Sequence, residues 1–120
     1  LRVLDVSNPQ NVSYLNGVTI PNVTWDEETG TGEEAYPRSI YYYDENIYIG
    51  TDYLFGGDPD ENHELHVFEV DIPAVPDWDE SVDVNRNVNG IEIKNGLAYL
   101  ATGPGGDNTP FKIFDISFLL

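Results

Sequence analysis

Cysteine is absent from this chain, and basic residues are rare: two lysines and three arginines stand among 120 residues. Without cysteine, neither disulfide bonds nor thiolate chemistry is available. No apolar run approaches the roughly 18 residues that span a membrane as a helix. The two histidines lie in one short stretch, so the sequence offers no Ser-His-Asp or Cys-His set for nucleophilic catalysis. The first residue is not Met, which indicates a processed product or a fragment.

Acidic residues dominate the charge: 22 Asp and Glu give a formal net charge of −17. Such a surface repels phosphate groups, so neither nucleic acid nor an anionic membrane is an expected partner. Three interpretations of the charge remain: solvation in a salty medium, binding of cations, or attraction of a basic partner.

Two sequence patterns repeat along the chain. The segments LRVLDVS (1–7), LHVFEVD (65–71) and FKIFDIS (111–117) match by residue class at all seven positions. Upstream of the last two, SIYYYDENIYIGT (39–51) aligns with GIEIKNGLAYLAT (90–102), and each is typical of a strand, a tight turn and a strand. No segment has a helical period, so the predicted fold is all-β.

The repeats predict a four-strand unit whose strands we label A to D. The expected strands are C 1–7, D 12–20, A 38–43, B 47–52, C 65–71, D 80–84, A 88–94, B 97–102 and C 111–117. This order predicts antiparallel four-stranded blades of a β-propeller, about two and a half of which are present. The alternative is a β-sandwich, which also has many short strands but needs no internal repeat.

The predicted division of the chain follows from these units. Residues 1–20 supply strands C and D of one blade, residues 38–84 a full blade, and residues 88–117 strands A to C of the next. Residues 21–37 are expected to be an acidic loop insertion, because the next D-to-A link is only a few residues long.

The motifs LRVLDVSNP, FKIFDIS and GIEIKNGLAYLATG resemble the LVIVD repeat of bacterial and archaeal β-propellers. The middle copy departs from that repeat, with Glu69 in place of Asp and Ile72-Pro73 in place of Asn-Pro. The resemblance implies a secreted or cell-surface protein whose propeller serves recognition or scaffolding. It implies no catalytic residues.

The long connections are expected on one rim. In an antiparallel blade the B-to-C and D-to-A links share a rim, and here these links are 21–37, 53–64 and 103–110. Long loops often carry function, so this long-loop rim is the predicted contact face. Eleven of the 22 acidic residues lie on it: Asp26, Glu27, Glu28, Glu33, Glu34, Asp52, Asp58, Asp60, Glu61, Glu64 and Asp107.

The sharpest candidate site is a calcium loop of Asp58, Asp60, Asn62 and Glu64, whose oxygen ligands alternate along the chain. An EF-hand is excluded, because its glycine position holds His63 and no flanking helices are expected. The alternative is a solvated acidic turn. Zinc is disfavoured, since the three-residue spacing of the two histidines points them to opposite faces of a strand.

Other candidate sites are weaker. A cation or basic partner is a candidate ligand for the insertion and the loop of 103–110, with a mobile hydrated loop as the alternative. The residues concerned are Trp25, Asp26, Glu27, Glu28, Glu33, Glu34, Tyr36 and Asp107. Asn11 and Asn22 begin glycosylation acceptor patterns. The three consecutive tyrosines 41–43 favour packing between blades over a sugar-stacking platform.

The repeat position shared by Asp5, Glu69 and Asp115 predicts a structural role, in which the carboxylate accepts backbone N–H bonds of the following turn. It therefore adds no catalytic candidate. The favoured function is a non-enzymatic recognition or scaffold module of a secreted or cell-surface propeller. Its expected partner is a protein, a glycan, or other copies or blades of the same propeller, with calcium as the candidate ligand. The alternative is a propeller hydrolase or lyase that uses rim carboxylates.

Overall fold

The computed structural model describes residues 1–18, 20, 23–26, 31–34, 36–53, 63–71 and 76–117, with 23–26 and 31–34 described as backbone only. Eleven strands account for its regular structure. They are β1 (Arg2–Asp5), β2 (Ser13–Gly17), β3 (Val23–Asp26), β4 (Thr31–Glu34), β5 (Pro37–Tyr43), β6 (Asn46–Thr51), β7 (Leu65–Glu69), β8 (Asp77–Val82), β9 (Arg86–Lys94), β10 (Leu97–Gly105) and β11 (Phe111–Asp115). No helix in these ranges is long and apolar enough to cross a membrane.

The strands form four antiparallel sheets, so the all-β prediction is confirmed. The four-stranded sheet has the order β5-β6-β7-β8, which is the predicted A-B-C-D order, and the three-stranded sheet has the order β9-β10-β11. Strands β1 and β2 pair as predicted for C and D, and β3 pairs with β4. The propeller arrangement of these sheets stays a prediction.

One predicted loop contains strands. Within the expected insertion 21–37, β3 and β4 form a hairpin in which Val23 lies opposite Glu34 and Asp26 opposite Thr31. Val, Thr and Trp favour strands because their side chains fit a pleated surface, and this preference outweighs the acidic composition of the segment. The insertion is therefore not irregular throughout, and Pro37 already belongs to β5.

The tight turns supply the backbone conformations that two-residue hairpins require. Asn95 and Gly96 have φ angles of 53° and 74°, as the Asn-Gly pair predicts. The matching turn is shorter than expected: Asp44 and Glu45 form it alone, with φ angles of 49° and 62°, and Asn46 begins β6. Glu is a costly residue at positive φ, so this turn is strained.

The core lies between the four-stranded and three-stranded sheets. The four-stranded sheet contributes Tyr48, Leu65 and Val67, which have no solvent exposure. The connection β8–β9 and the three-stranded sheet contribute Val84, Val88, Ile93, Ala98 and Leu100, and Ile116 follows β11. Tyr41 and Tyr43 pack against this core, whereas Tyr42 is 63% exposed. The alternation along β5 therefore places two of the three tyrosines in the packing between sheets, as predicted.

The two sheets come close where β5 and β6 meet β9. The Ser39 hydroxyl donates a hydrogen bond of 2.8 Å to the Val88 carbonyl. A Cβ at Gly50 would lie 2.4 Å from a Val88 side-chain carbon and 2.6 Å from its carbonyl oxygen. Only glycine fits this contact, because any side chain would push the sheets apart.

Candidate functional site

The most connected polar arrangement in the described residues surrounds the β8–β9 corner, residues 83–85. Glu64, which directly precedes β7, has no solvent exposure. Its Oε2 accepts backbone N–H bonds of 2.8 Å from both Val84 and Asn85. Its Oε1 has no hydrogen-bond partner among the described residues. A loop residue of one sheet thus holds the corner that leads into the other.

Burial controls the protonation of Glu64. Desolvation raises the pKa of its carboxyl from 4.5 to about 7, and the nearby charge of Asp83 also raises it. The two N–H bonds from the corner lower it, but they do not outweigh the burial. Glu64 therefore titrates near neutral pH, unlike an ordinary surface carboxylate.

A second set of polar groups holds the same corner from the three-stranded sheet. The Lys112 Nζ donates to the Val84 carbonyl at 2.7 Å and to Asp107 Oδ2 at 2.5 Å. Arg86, which is 8% exposed, donates to the Thr102 hydroxyl at 3.1 Å and to the Asp107 carbonyl. The corner thus receives a carboxylate on its N–H groups and an ammonium on its carbonyl oxygen.

Asp107 serves this network as an acceptor. The hydrogen bond from Lys112, followed by the one from the Thr109 backbone, lowers the pKa of Asp107 to about 2. Its Oδ1 also lies 3.6 Å from the Arg86 guanidinium. Asp107 was predicted as a binding residue of the long-loop rim, but its charge is already neutralised within the chain.

His66 on β7 is the second buried titratable residue. It is 1% exposed, and its ring nitrogens have no hydrogen-bond partner of ordinary geometry among the described residues. Burial lowers its pKa to about 4, so the ring is neutral at physiological pH. The neighbouring His63 instead contacts the Ser81 hydroxyl through Nδ1 at 2.8 Å.

Three of the four predicted calcium ligands, Asp58, Asp60 and Asn62, lie outside the described residues. The fourth, Glu64, already uses one oxygen on the β8–β9 corner. No group of three or more His, Asp or Glu residues in the described ranges is placed to hold a metal ion. The calcium loop therefore stays a prediction.

The predicted binding residues of the insertion are only partly described. Trp25 and Asp26 belong to β3, Glu33 and Glu34 belong to β4, and Tyr36 is 66% exposed. Glu27, Glu28 and the glycosylation candidate Asn22 lie outside the described residues. The other glycosylation candidate, Asn11, is exposed in the β1–β2 link, where its N–H bonds to the Asn8 carbonyl.

The structural role predicted for the repeated aspartates is confirmed at two positions. Asp5 Oδ1 accepts the Ser7 N–H at 2.9 Å, and Asp115 Oδ1 accepts the Ser117 N–H at the same distance. The hydrogen bond from the serine side chain, followed by the one from its backbone N–H, lowers the pKa of each carboxyl. Both aspartates accept the backbone N–H of the serine two residues later. The repeat is therefore similar in side-chain hydrogen bonding as well as in residue class.

The opposite rim, which carries the short turns, also contains an acidic concavity. A cavity of about 240 Å³ is lined by Asp44, Glu45, Asn46, Glu69 and Asp71. The sequence predicts an acidic contact face on the other rim only. The sequence does contain an indication of this cavity. The repeated strand order places the acidic turn Asp44-Glu45 next to the end of strand C, which carries Glu69 and Asp71.

Searches with family models, curated protein sequences and solved structures find no match to this chain.

Proposed function

We propose that this chain is a non-enzymatic recognition or scaffold module of a secreted or cell-surface β-propeller, and that its four-stranded and three-stranded sheets are consecutive blades. The observation that carries the proposal is the repetition of one strand order in two sheets that share one hydrophobic core. Equivalent repeat residues take equivalent positions in both sheets. This favours a repeated blade over a sandwich, which needs no such equivalence.

The approach of the first strands of the two sheets supports the same arrangement. β5 and β9 are both A strands, and the Ser39–Val88 hydrogen bond joins them. Gly50 on the neighbouring strand β6 also lies against Val88, where a Cβ would overlap it. Blades arranged around a common axis bring their first strands together in this way.

The proposed contact face is the long-loop rim, with a basic protein or a cation as its ligand and calcium as the candidate ion. Two of its acids are already paired within the chain, Asp52 with Arg38 and Asp107 with Lys112. Glu64 is buried on the β8–β9 corner. The charge offered to a partner must therefore come from the insertion and from the loop that contains Asp58 and Asp60.

The enzymatic alternative has one feature in its favour, the raised pKa of Glu64, which is typical of a general acid or base. A general acid must also come within hydrogen-bond distance of a substrate. Glu64 has no solvent exposure, and its Oε2 holds two backbone N–H groups. We therefore assign it a structural role, and the enzymatic reading has no further support in the described residues.

A charge-matched comparison tests the contact face, with octa-lysine as a basic probe. One variant replaces Glu27, Glu28, Glu33 and Glu34 by Gln. The control removes four charges from the opposite rim, by Asp44→Asn, Glu45→Gln, Glu69→Gln and Asp71→Asn. Binding is measured by calorimetry at about 0.15 M salt, where exposed charges are screened beyond about 8 Å.

We expect the first variant to bind octa-lysine at least tenfold more weakly than the control variant does. Equal weakening in both would show that only net charge attracts the probe, and would overturn the proposed contact face. Stronger loss in the control would move the contact face to the short-turn rim.

A further inference from the structure

On β10 and β11, one side of the three-stranded sheet carries apolar residues whose counterparts in the four-stranded sheet are buried, while Glu92 and Lys94 of β9 lie on the same side. The repeats align Tyr99, Phe111 and Ile113 with Tyr48, Leu65 and Val67. The latter three have no solvent exposure, because they pack against the neighbouring sheet. Phe111 and Ile113 are 52% and 53% exposed, and the rings of Tyr99 and Phe111 lie 6.4 Å apart. We call these three residues the tail face.

The other end of the pair of sheets exposes the complementary surface. Within the chain, the side of the four-stranded sheet that bears Tyr41, Tyr43 and Tyr48 packs on the side of the three-stranded sheet that bears Ile91, Ile93 and Leu100. The repeats align those residues with Ile40, Tyr42 and Ile49. Ile40 and Tyr42 lie on β5, which pairs with β6, and each side chain is 63% exposed. They lie on the outer side of the four-stranded sheet, which faces away from the three-stranded sheet. We call Ile40 and Tyr42 the head face.

The β1–β2 hairpin accounts for only part of the outer side. Leu1 and Arg2, with Ile20, line a cavity of about 310 Å³ together with Ile40 and Ile49. Ile49 is 3% exposed, whereas Ile40 and Tyr42 on β5 are not covered. The head face therefore remains open to a further sheet beside the hairpin.

We propose that copies of this chain associate head to tail, with the tail face of one copy packing on the head face of the next. The proposal continues an interface that the chain already contains, because the tail face repeats residues of one half of it and the head face repeats two of the three residues named for the other half. The two faces differ, so the contact is heterologous, and it can extend beyond a dimer. A bilayer is a poorer occupant, since the chain carries a net charge of −17. This inference goes beyond the proposed function and does not depend on the long-loop rim.

Sedimentation equilibrium of the full 120-residue chain at high ionic strength tests the association. The tail-face variant is Ile113→Lys, and the head-face variant is Tyr42→Lys. Val12→Lys is the matched control, because Val12 is 50% exposed in the β1–β2 link and belongs to neither face. All substituted side chains are at least half exposed, and circular dichroism verifies that each variant keeps its β-sheet signal.

For the wild type and Val12→Lys, we expect an average mass that rises with concentration to at least twice the 13.4 kDa of one chain. Each face variant alone should stay at the mass of one chain. An equimolar mixture of Ile113→Lys and Tyr42→Lys should form dimers and nothing larger, because each variant retains one intact face and the two intact faces are complementary.

Three results would overturn the proposal. A wild type that stays at one-chain mass at all concentrations would show that the faces are not covered by a second copy. Association that survives Tyr42→Lys but not Ile113→Lys would show that two tail faces pack together. Association that Val12→Lys also abolishes would place the contact outside both faces.

Discussion

Two buried titratable residues near the start of β7 predict an unusual pH dependence of stability. Burial raises the pKa of Glu64 from 4.5 to about 7 and lowers that of His66 from 6.5 to about 4. Each difference corresponds to about 3 kcal/mol in the free energy of unfolding. The two residues change the free energy of unfolding with pH in opposite directions, so their contributions cancel in the wild type.

The signs follow from which state binds the proton. The contribution of Glu64 is fully present below pH 4.5 and is lost as the pH rises through about 7, because the unfolded state ionises first. The contribution of His66 is fully present above pH 6.5 and is lost as the pH falls through about 4. Between pH 4.5 and 6.5 the two slopes cancel.

Removing one titration at a time exposes the other. In Glu64→Gln the amide oxygen still accepts the corner N–H groups, and stability should rise with pH by up to about 1.4 kcal/mol per pH unit in this window. In His66→Phe the stability should fall with rising pH by a similar amount per pH unit. The double variant should be as flat as the wild type.

Urea unfolding at about pH 5 and about pH 6 measures these slopes. The other carboxylates and the net negative charge contribute equally to all four proteins, so differences between the profiles isolate the two residues. If the Glu64→Gln profile runs parallel to that of the wild type, Glu64 does not titrate between these pH values, and the reasoning from its burial is refuted.

Further predictions concern single sites. Gly50→Ala should lower the free energy of unfolding by about 2 to 3 kcal/mol, because its Cβ would overlap the neighbouring sheet. Gly90→Ala should change the free energy of unfolding by much less, because its Cβ would meet its nearest neighbour at 3.4 Å. Equal effects of the two substitutions would contradict the close approach of Gly50 to the neighbouring sheet. Glu45→Gly should raise the free energy of unfolding by about 1 kcal/mol in urea unfolding, since φ is 62° there, and no gain would mean that the turn is unstrained. At fixed high ionic strength, millimolar calcium should raise the melting temperature of the wild type and Asp44→Ala but not of Asp60→Ala, whereas no rise in any of them would exclude the calcium loop.

The strand order was predictable because strand periodicity and turn residues are local signals. Asn95-Gly96 specifies its hairpin by backbone preference alone, and Asp115 meets the N–H of Ser117 only two residues away. The polar contacts at the β8–β9 corner were not predictable in this way. Glu64 meets the corner 20 residues further along the chain, and no local pattern distinguishes it from the acids that precede it. The sequence therefore groups it with candidate calcium ligands, and its burial emerges only from the packing of two sheets.

The prediction of a loop at residues 21–37 gave too much weight to composition and too little to local strand propensity. The acidic composition of this segment predicts a loop, although Val23, Thr24 and Trp25 have high strand propensity. Charged residues on a two-stranded hairpin cost little, because both faces of such a hairpin can face water. Acidic composition therefore indicates exposure, and it does not by itself indicate irregular structure.

The association proposed above should add to the stability of this chain, because it buries apolar side chains that one copy leaves exposed. Glu64 Oε1, the Tyr48 hydroxyl and the His66 ring are buried without hydrogen-bond partners among the described residues, and each such group costs about 1 to 3 kcal/mol. A second copy on the tail face would bury Phe111 and Ile113 and offset part of that cost, so the melting temperature of the wild type should rise with protein concentration. Ile113→Lys should lose this concentration dependence but keep the pH-dependent contributions of Glu64 and His66, since both lie within one copy. The proposed contact between copies and the two buried titratable residues should therefore act on stability independently.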